Sequence, residues 1–110
     1  MDPKIFLKQA GILSKASIKT YTERINVLNR LFFDNTSDER KRRKLDLRSM
    51  SYYINLIKMH YSNENTQIAY LMTLWKYIDI TRIKKPKRLK ILFNDNIKVI
   101  KNKVDNRKEK

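Results

Sequence analysis

The chain has no cysteine, one glycine, two prolines, one histidine and one tryptophan in 110 residues. Without cysteine there is no disulfide, no thiol nucleophile and no cysteine-based zinc site, which fits a reducing compartment. The lone histidine, His60, rules out a paired-histidine metal site within one chain. There is no glycine-rich phosphate loop and no serine-centred nucleophile elbow. The acids are scattered, and the closest pair, Asp38 and Glu39, is adjacent in sequence and so points to opposite sides of a helix or turn. No enzymatic activity, metal or cofactor is therefore expected. No apolar run approaches the roughly 20 residues of a membrane-spanning helix, and the amino terminus lacks a signal-peptide pattern. A soluble protein is expected, either intracellular or carried in a particle, with nucleus, cytoplasm and virion equally compatible. Scarce glycine and proline leave few breakers, which favours long uninterrupted helices.

What is abundant is positive charge. Lys and Arg number 26 against 11 acids, a net +15, yet 41% of residues are apolar, too many for a wholly disordered chain. Twelve of the bases lie in residues 81–110 with only Asp95, Asp105 and Glu109 beside them, whereas residues 51–80 hold two bases and two acids. A neutral, aromatic-rich centre thus sits between positive segments. Charge this uneven raises the potential of one surface and attracts polyanions, of which nucleic acid is the commonest for a small basic protein. The plainer alternative is a solvated tail that maintains solubility.

Apolar periodicity predicts an all-α bundle of four to five helices, with residues 1–80 forming a helical domain and 81–110 a basic linker and amphipathic carboxy-terminal helix. Asp2 and Pro3 open a first short helix, which Gly11 ends in a left-handed conformation. Ser17 is the expected cap of a second, whose stripe is Ile18, Tyr21, Ile25, Leu28, Leu31 and Phe32 and which stops at Asp34-Asn35-Thr36-Ser37. Arg40-Lys41-Arg42-Arg43-Lys44 follows; five consecutive bases read either as a nucleic-acid or nuclear-localisation patch or as the solvated face of a short helix. Asp46 or Ser49 caps a helix bearing Met50, Tyr53, Ile54, Ile57 and Tyr61, and Asn65 or Thr66 caps another bearing Ile68, Leu71, Met72, Trp75 and Ile78. The expected core is Ile25, Leu28, Phe32, Ile54, Ile57, Leu71, Trp75 and Ile78. Pro86 blocks continuation, and Leu89, Leu92, Phe93, Ile97, Ile100 and Val104 mark the final amphipathic helix, packed on its predecessors or docked on another surface. His60, near a helix end, reads as a dipole or phosphate contact or as an ordinary surface histidine.

Ser17-Ile18-Lys19-Thr20-Tyr21 followed by Ile25, Leu28 and Phe32, and later Asn65-Thr66-Gln67-Ile68-Ala69-Tyr70 with Leu74, resembles the core-binding domain of tyrosine recombinases, the SAM-like amino-terminal domain of phage integrases. The resemblance spans about residues 14–80, and its motifs are of moderate specificity. It implies a helical bundle that clamps duplex DNA, with helix starts and basic side chains on the phosphates. Ser17, Lys19, Thr20 and Arg24, and Asn65, Thr66 and Gln67, become the matching contacts; simple capping is the alternative for Ser17, Asn65 and Thr66. The family's catalytic half is missing here: no His-x-x-Arg is present, and no histidine follows the bundle.

These lines converge on a non-enzymatic duplex-DNA-binding protein of viral or mobile-element type, with Arg82, Lys84, Lys85, Lys87, Arg88 and Lys90 as a basic flank. RNA is a second candidate partner, through Tyr52, Tyr53 and Tyr61, although no RNA-binding module signature accompanies them. A different class of function is a small structural or interaction protein, such as a virion component, that docks or self-associates through residues 89–104. A membrane surface is not expected as a partner. The initiator Met and charged carboxyl end suggest a complete chain rather than a fragment of a recombinase.

Overall fold

The computed structural model describes residues 2–33, 47–81 and 87–108. Among the described residues every regular element is helical: a 3-10 helix at Pro3–Gln9, α1 at Lys15–Phe32, a 3-10 turn at Leu47–Ser49, α2 at Met50–His60, α3 at Glu64–Ile80 and α4 at Lys87–Lys108. The chain divides into two compact units, Met1–Asp46 and Leu47–Lys110.

In the first unit, Asp2 caps the opening helix by accepting from the Lys4 N–H, and Pro3 supplies a preset φ for its first turn. The element is 3-10 rather than α. Gly11 follows with φ of 101°, the left-handed backbone expected of it, and lets the chain reverse into α1. Phe6, fully buried, stacks on Tyr21 of α1 with ring centroids 5.2 Å apart. Ile18, Ile25, Leu28 and Phe32 are buried at the expected spacing, together with Phe33. The cap of α1 is Ser14, not Ser17: the Ser14 hydroxyl accepts from the Ser17 N–H at 3.1 Å. Both serines suit a cap, and starting one turn earlier lets α1 present Ile18 to the core from its first full turn.

In the second unit, the 3-10 turn delivers the chain to α2 at Met50. Ser49 occupies the cap position without a side-chain capping bond. Met50, Tyr53, Ile54 and Ile57 are buried, while Tyr61 leaves the stripe, standing beyond the helix in extended conformation at φ −115°. The cap of α3 is Asn63, whose side chain accepts from the Thr66 N–H, so Asn65 and Thr66 lie inside the first turn. Leu71, Leu74, Tyr77 and Ile78 of α3 are buried, and α4 packs on α3 through Leu89, Phe93 and Ile100, each at most 3% exposed. Trp75 was expected in the core; it is half-buried, tilted against Phe93 at 5.1 Å. An indole is too large to be enclosed readily at the edge of so small a unit. A buried Leu, Ile or Phe side chain contributes about 1.5–3 kcal/mol by leaving water, and this stripe is what holds α4 in place.

The rotation of α4 has a direct check. Phe93→Ala should destabilise the protein by about 3–5 kcal/mol in chemical denaturation, and Ile91→Ala, two residues away on the exposed side, by less than about 0.5 kcal/mol. Equal losses at the two positions would mean that α4 packs by a different face.

Candidate nucleic-acid interface

The recombinase-like positions on α1 fall into two groups. At about 100° per residue, Ser17, Thr20 and Arg24 share one side of the helix, and with Ala16 and Tyr21 they line a shallow depression. Lys19 stands about 140° from Arg24 and lines a separate, largely apolar groove with Leu7, Ala10, Lys15, Ile18, Thr22 and Glu23. In the depression, the Thr20 hydroxyl donates to the Ala16 carbonyl at 2.9 Å, while the Ser17 hydroxyl oxygen accepts from Ser14 at 3.0 Å. The Ser17 and Tyr21 hydroxyls and the Arg24 guanidinium carry protons of the kind a phosphate oxygen accepts.

The opening of α3 is organised around structure. Asn63 takes the Thr66 N–H with its side chain and the Gln67 N–H with its carbonyl. The Gln67 amide turns back to donate to the Tyr61 carbonyl at 2.6 Å and the Lys58 carbonyl at 3.3 Å, supplying partners to the carboxyl end of α2. Gln67 thus ties α2 to α3; Asn65 is exposed and Thr66 half-buried. Tyr61 and Tyr70 stack at 4.5 Å across the same corner, and the exposed His60 ring meets Tyr61 edge-on at 4.6 Å.

Of the basic clusters, Arg40, Lys41, Arg42, Arg43 and Lys44, and also Arg82, Lys84 and Lys85, lie outside the described residues. Lys87, Arg88 and Lys90 are exposed on the first turns of α4, which contain no acid. Cations at a helix amino terminus meet the positive end of the helix dipole, so the arrangement costs the helix some stability and raises the local positive potential. The basic flank does not end at Lys90. The helix goes on to expose Lys98 and Lys101 as well, at spacings of eight and three residues. The apolar stripe expected from Leu89 to Val104 puts Lys and Arg on the opposite face of this helix; which of them stand together there depends on how α4 is turned against α3.

Lys58 of α2 donates to the Asn96 side chain of α4, whose own amide donates to the Leu92 carbonyl at 2.8 Å. Burial, and secondarily the positive charge of Lys103, hold the Lys58 ammonium below the ordinary lysine pKa. No group of three or more His, Cys, Asp or Glu suited to a metal ion occurs among the described residues. None of the described helices is long and apolar enough to cross a membrane.

Lys58 generates a pH prediction with a definite sign. A base whose folded pKa is depressed binds its proton more weakly folded than unfolded, so stability rises as pH climbs from the lowered value towards 10.5. In an NMR titration, Lys58 should show a midpoint below that of a free lysine. Lys103→Gln should move the midpoint up but not fully back, because burial is the larger cause. A Lys58 midpoint unaffected by Lys103→Gln would show that the two ammonium groups do not interact.

No protein-family model, curated protein or solved structure matches this chain.

Proposed function

We propose that this chain is a non-enzymatic duplex-DNA-binding protein that holds its partner chiefly through phosphates, in the manner of a recombinase core-binding domain without the catalytic half. The observation that bears most weight is the placement of Lys87, Arg88 and Lys90: exposed, without an acid in their turn, and at the helix end where positive charge is least favourable for folding. A row that served only solubility would gain from interspersed acids. Each phosphate neutralised by such a base releases counterions, which drives association. The depression at Ser17 and Arg24 adds a second cationic, hydroxyl-bearing surface in the first unit.

The SAM-like, core-binding character is part of the same proposal. It draws on the residues of α1 and α3 that carry the likeness, although both helices begin earlier, at caps Ser14 and Asn63. Docking through the apolar side of α4 has less support, because Leu89, Phe93 and Ile100 are already buried within the chain.

The test is a salt-titrated binding assay on duplex DNA, single-stranded DNA, RNA and an acidic polypeptide. Duplex DNA should be bound tightest, with affinity falling steeply as salt rises. Replacing Lys87, Arg88 and Lys90 with Gln should flatten the log–log slope by about 2–3 units, at roughly 0.9 per phosphate contact. The proposal fails if duplex DNA is bound no better than the acidic polypeptide.

A further inference from the structure

The outward side of α4 is ordered in a way that the charge count alone does not convey. With Leu89, Phe93 and Ile100 buried, seven exposed residues fall within a sector of about 100° turned away from them: Lys87, Lys90, Ile91, Asn94, Lys98, Lys101 and Asp105. From Lys87 to Lys101, two lysines stand at each end, and between them lie one aliphatic side chain and one amide. Ile91 is 57% exposed. A single exposed isoleucine means little by itself. At the centre of a strip bounded by cations on both sides, it is where a residue chosen for solubility would be polar. Of the two acids of the helix, Asp95 is turned about 60° away from Lys98, whereas Asp105 stands on the strip itself, one turn beyond Lys101, and closes its positive stretch at the carboxyl end.

We propose that this face of α4 enters the major groove of duplex DNA and reads A·T-containing steps there, with Asn94 on adenine, Ile91 on the thymine methyl group, and Lys87, Lys90, Lys98 and Lys101 on the phosphates along the groove walls. The proposal rests on the duplex-binding reading above and adds the groove, the base preference and four residues to it: Ile91, Asn94, Lys98 and Lys101. The dimensions agree. A helix about 10–12 Å across fits a groove about 12 Å wide. The strip from Lys87 to Lys101 runs roughly 21 Å along the axis, the height of about six base pairs. The chemistry agrees as well. An asparagine amide offers a donor and an acceptor that match the N7 and N6 edge of adenine, and an aliphatic group suits the C5-methyl of thymine. No arginine, the usual bidentate partner of guanine, stands within the strip, since Arg88 lies to its side. The flexible lysine stems at both ends reach outward as point charges, which suits phosphates on opposite walls.

The experiment uses the full chain and three fluorescent hairpin duplexes of equal length: one with a run of A·T pairs, one all G·C, and one in which 7-deazaadenine replaces adenine and so lacks the major-groove N7 acceptor. The A·T duplex should be preferred over G·C by about tenfold, and 7-deazaadenine should erase most of that preference. Asn94→Ala, and separately Ile91→Ala, should shrink the preference while leaving the salt slope unchanged. Lys98→Gln combined with Lys101→Gln should weaken all three duplexes alike and flatten the slope by about two units. All four positions are exposed, so the variants should keep the parent's circular dichroism and melting temperature. Steep salt-dependent duplex binding with no A·T preference overturns the base reading, and a preference undiminished by 7-deazaadenine shows that adenine N7 is not read and overturns the Asn94 contact. If the Lys98/Lys101 variant also behaves as the parent, α4 does not lie along the groove by this face, while duplex binding through Lys87, Arg88 and Lys90 at its start stands. Failure to bind any duplex removes both proposals together.

Discussion

Burial of Leu89, Phe93 and Ile100 against α3 is the constraint on which the second unit depends. A helix can turn freely about its own axis until one face is taken out of water, and three large side chains at this spacing leave one rotation. Once it is set, the polar residues have no further choice. Asn96 is carried to the seam, where it accepts from Lys58 and returns its own amide protons to the Leu92 carbonyl. Lys98 and Lys101 are carried outward to join Lys87 and Lys90. The lowered proton affinity of Lys58 has the same origin, since the packing that orders α4 partly shields an ammonium group from water and brings it near Lys103.

Among the described residues, the starts of α1 and α3 are closed by short polar side chains. Ser14 and Asn63 take up amides at the starts of α1 and α3, and Gln67 reaches back to the end of α2. This limits what the helix starts can offer a phosphate, because an amide already held by a cap is a poorer donor to a ligand. The remaining resource for binding a polyanion is side-chain charge, and it is unevenly distributed. Residues 51–80, which build α2 and α3, balance two bases against two acids, while residues 81–110 hold twelve against three. The separation follows from desolvation. A segment that buries Ile54, Ile57, Leu71, Leu74 and Ile78 gains nothing from lysines it would have to strip of water, whereas a helix with one free face can display them.

Much of this could be read in the chain before any coordinates. The helical class, most of the apolar stripes of α1, α2 and α4, and the left-handed Gly11 follow from spacing and from residue chemistry that acts within a few positions, whereas α3 is turned so that Leu74 and Tyr77 join Leu71 and Ile78 inside and Met72, expected on the stripe, is exposed. Seven of the eight residues expected in the core are buried; Trp75 is the exception, because its size resists enclosure at the edge of a small unit. The caps were misplaced for a related reason. Ser14 and Ser17, or Asn63, Asn65 and Thr66, are equivalent as local signals, and the choice among them depends on where the next apolar residue must point.

What the sequence by itself determined, then, is that these segments are helices and that positive charge collects towards the carboxyl end. The tertiary structure decided which way each helix is turned. Sequence places Lys19 and Arg24 five residues apart as if they were partners, but on α1 they line different depressions. It places Lys90 and Lys98 eight apart as if they were unrelated, and on α4 they stand on one exposed face. Helix formation depends on interactions over three or four residues, which a single chain displays openly. The direction of a side chain depends on what the opposite face buries, and that is settled only when another helix arrives to cover it.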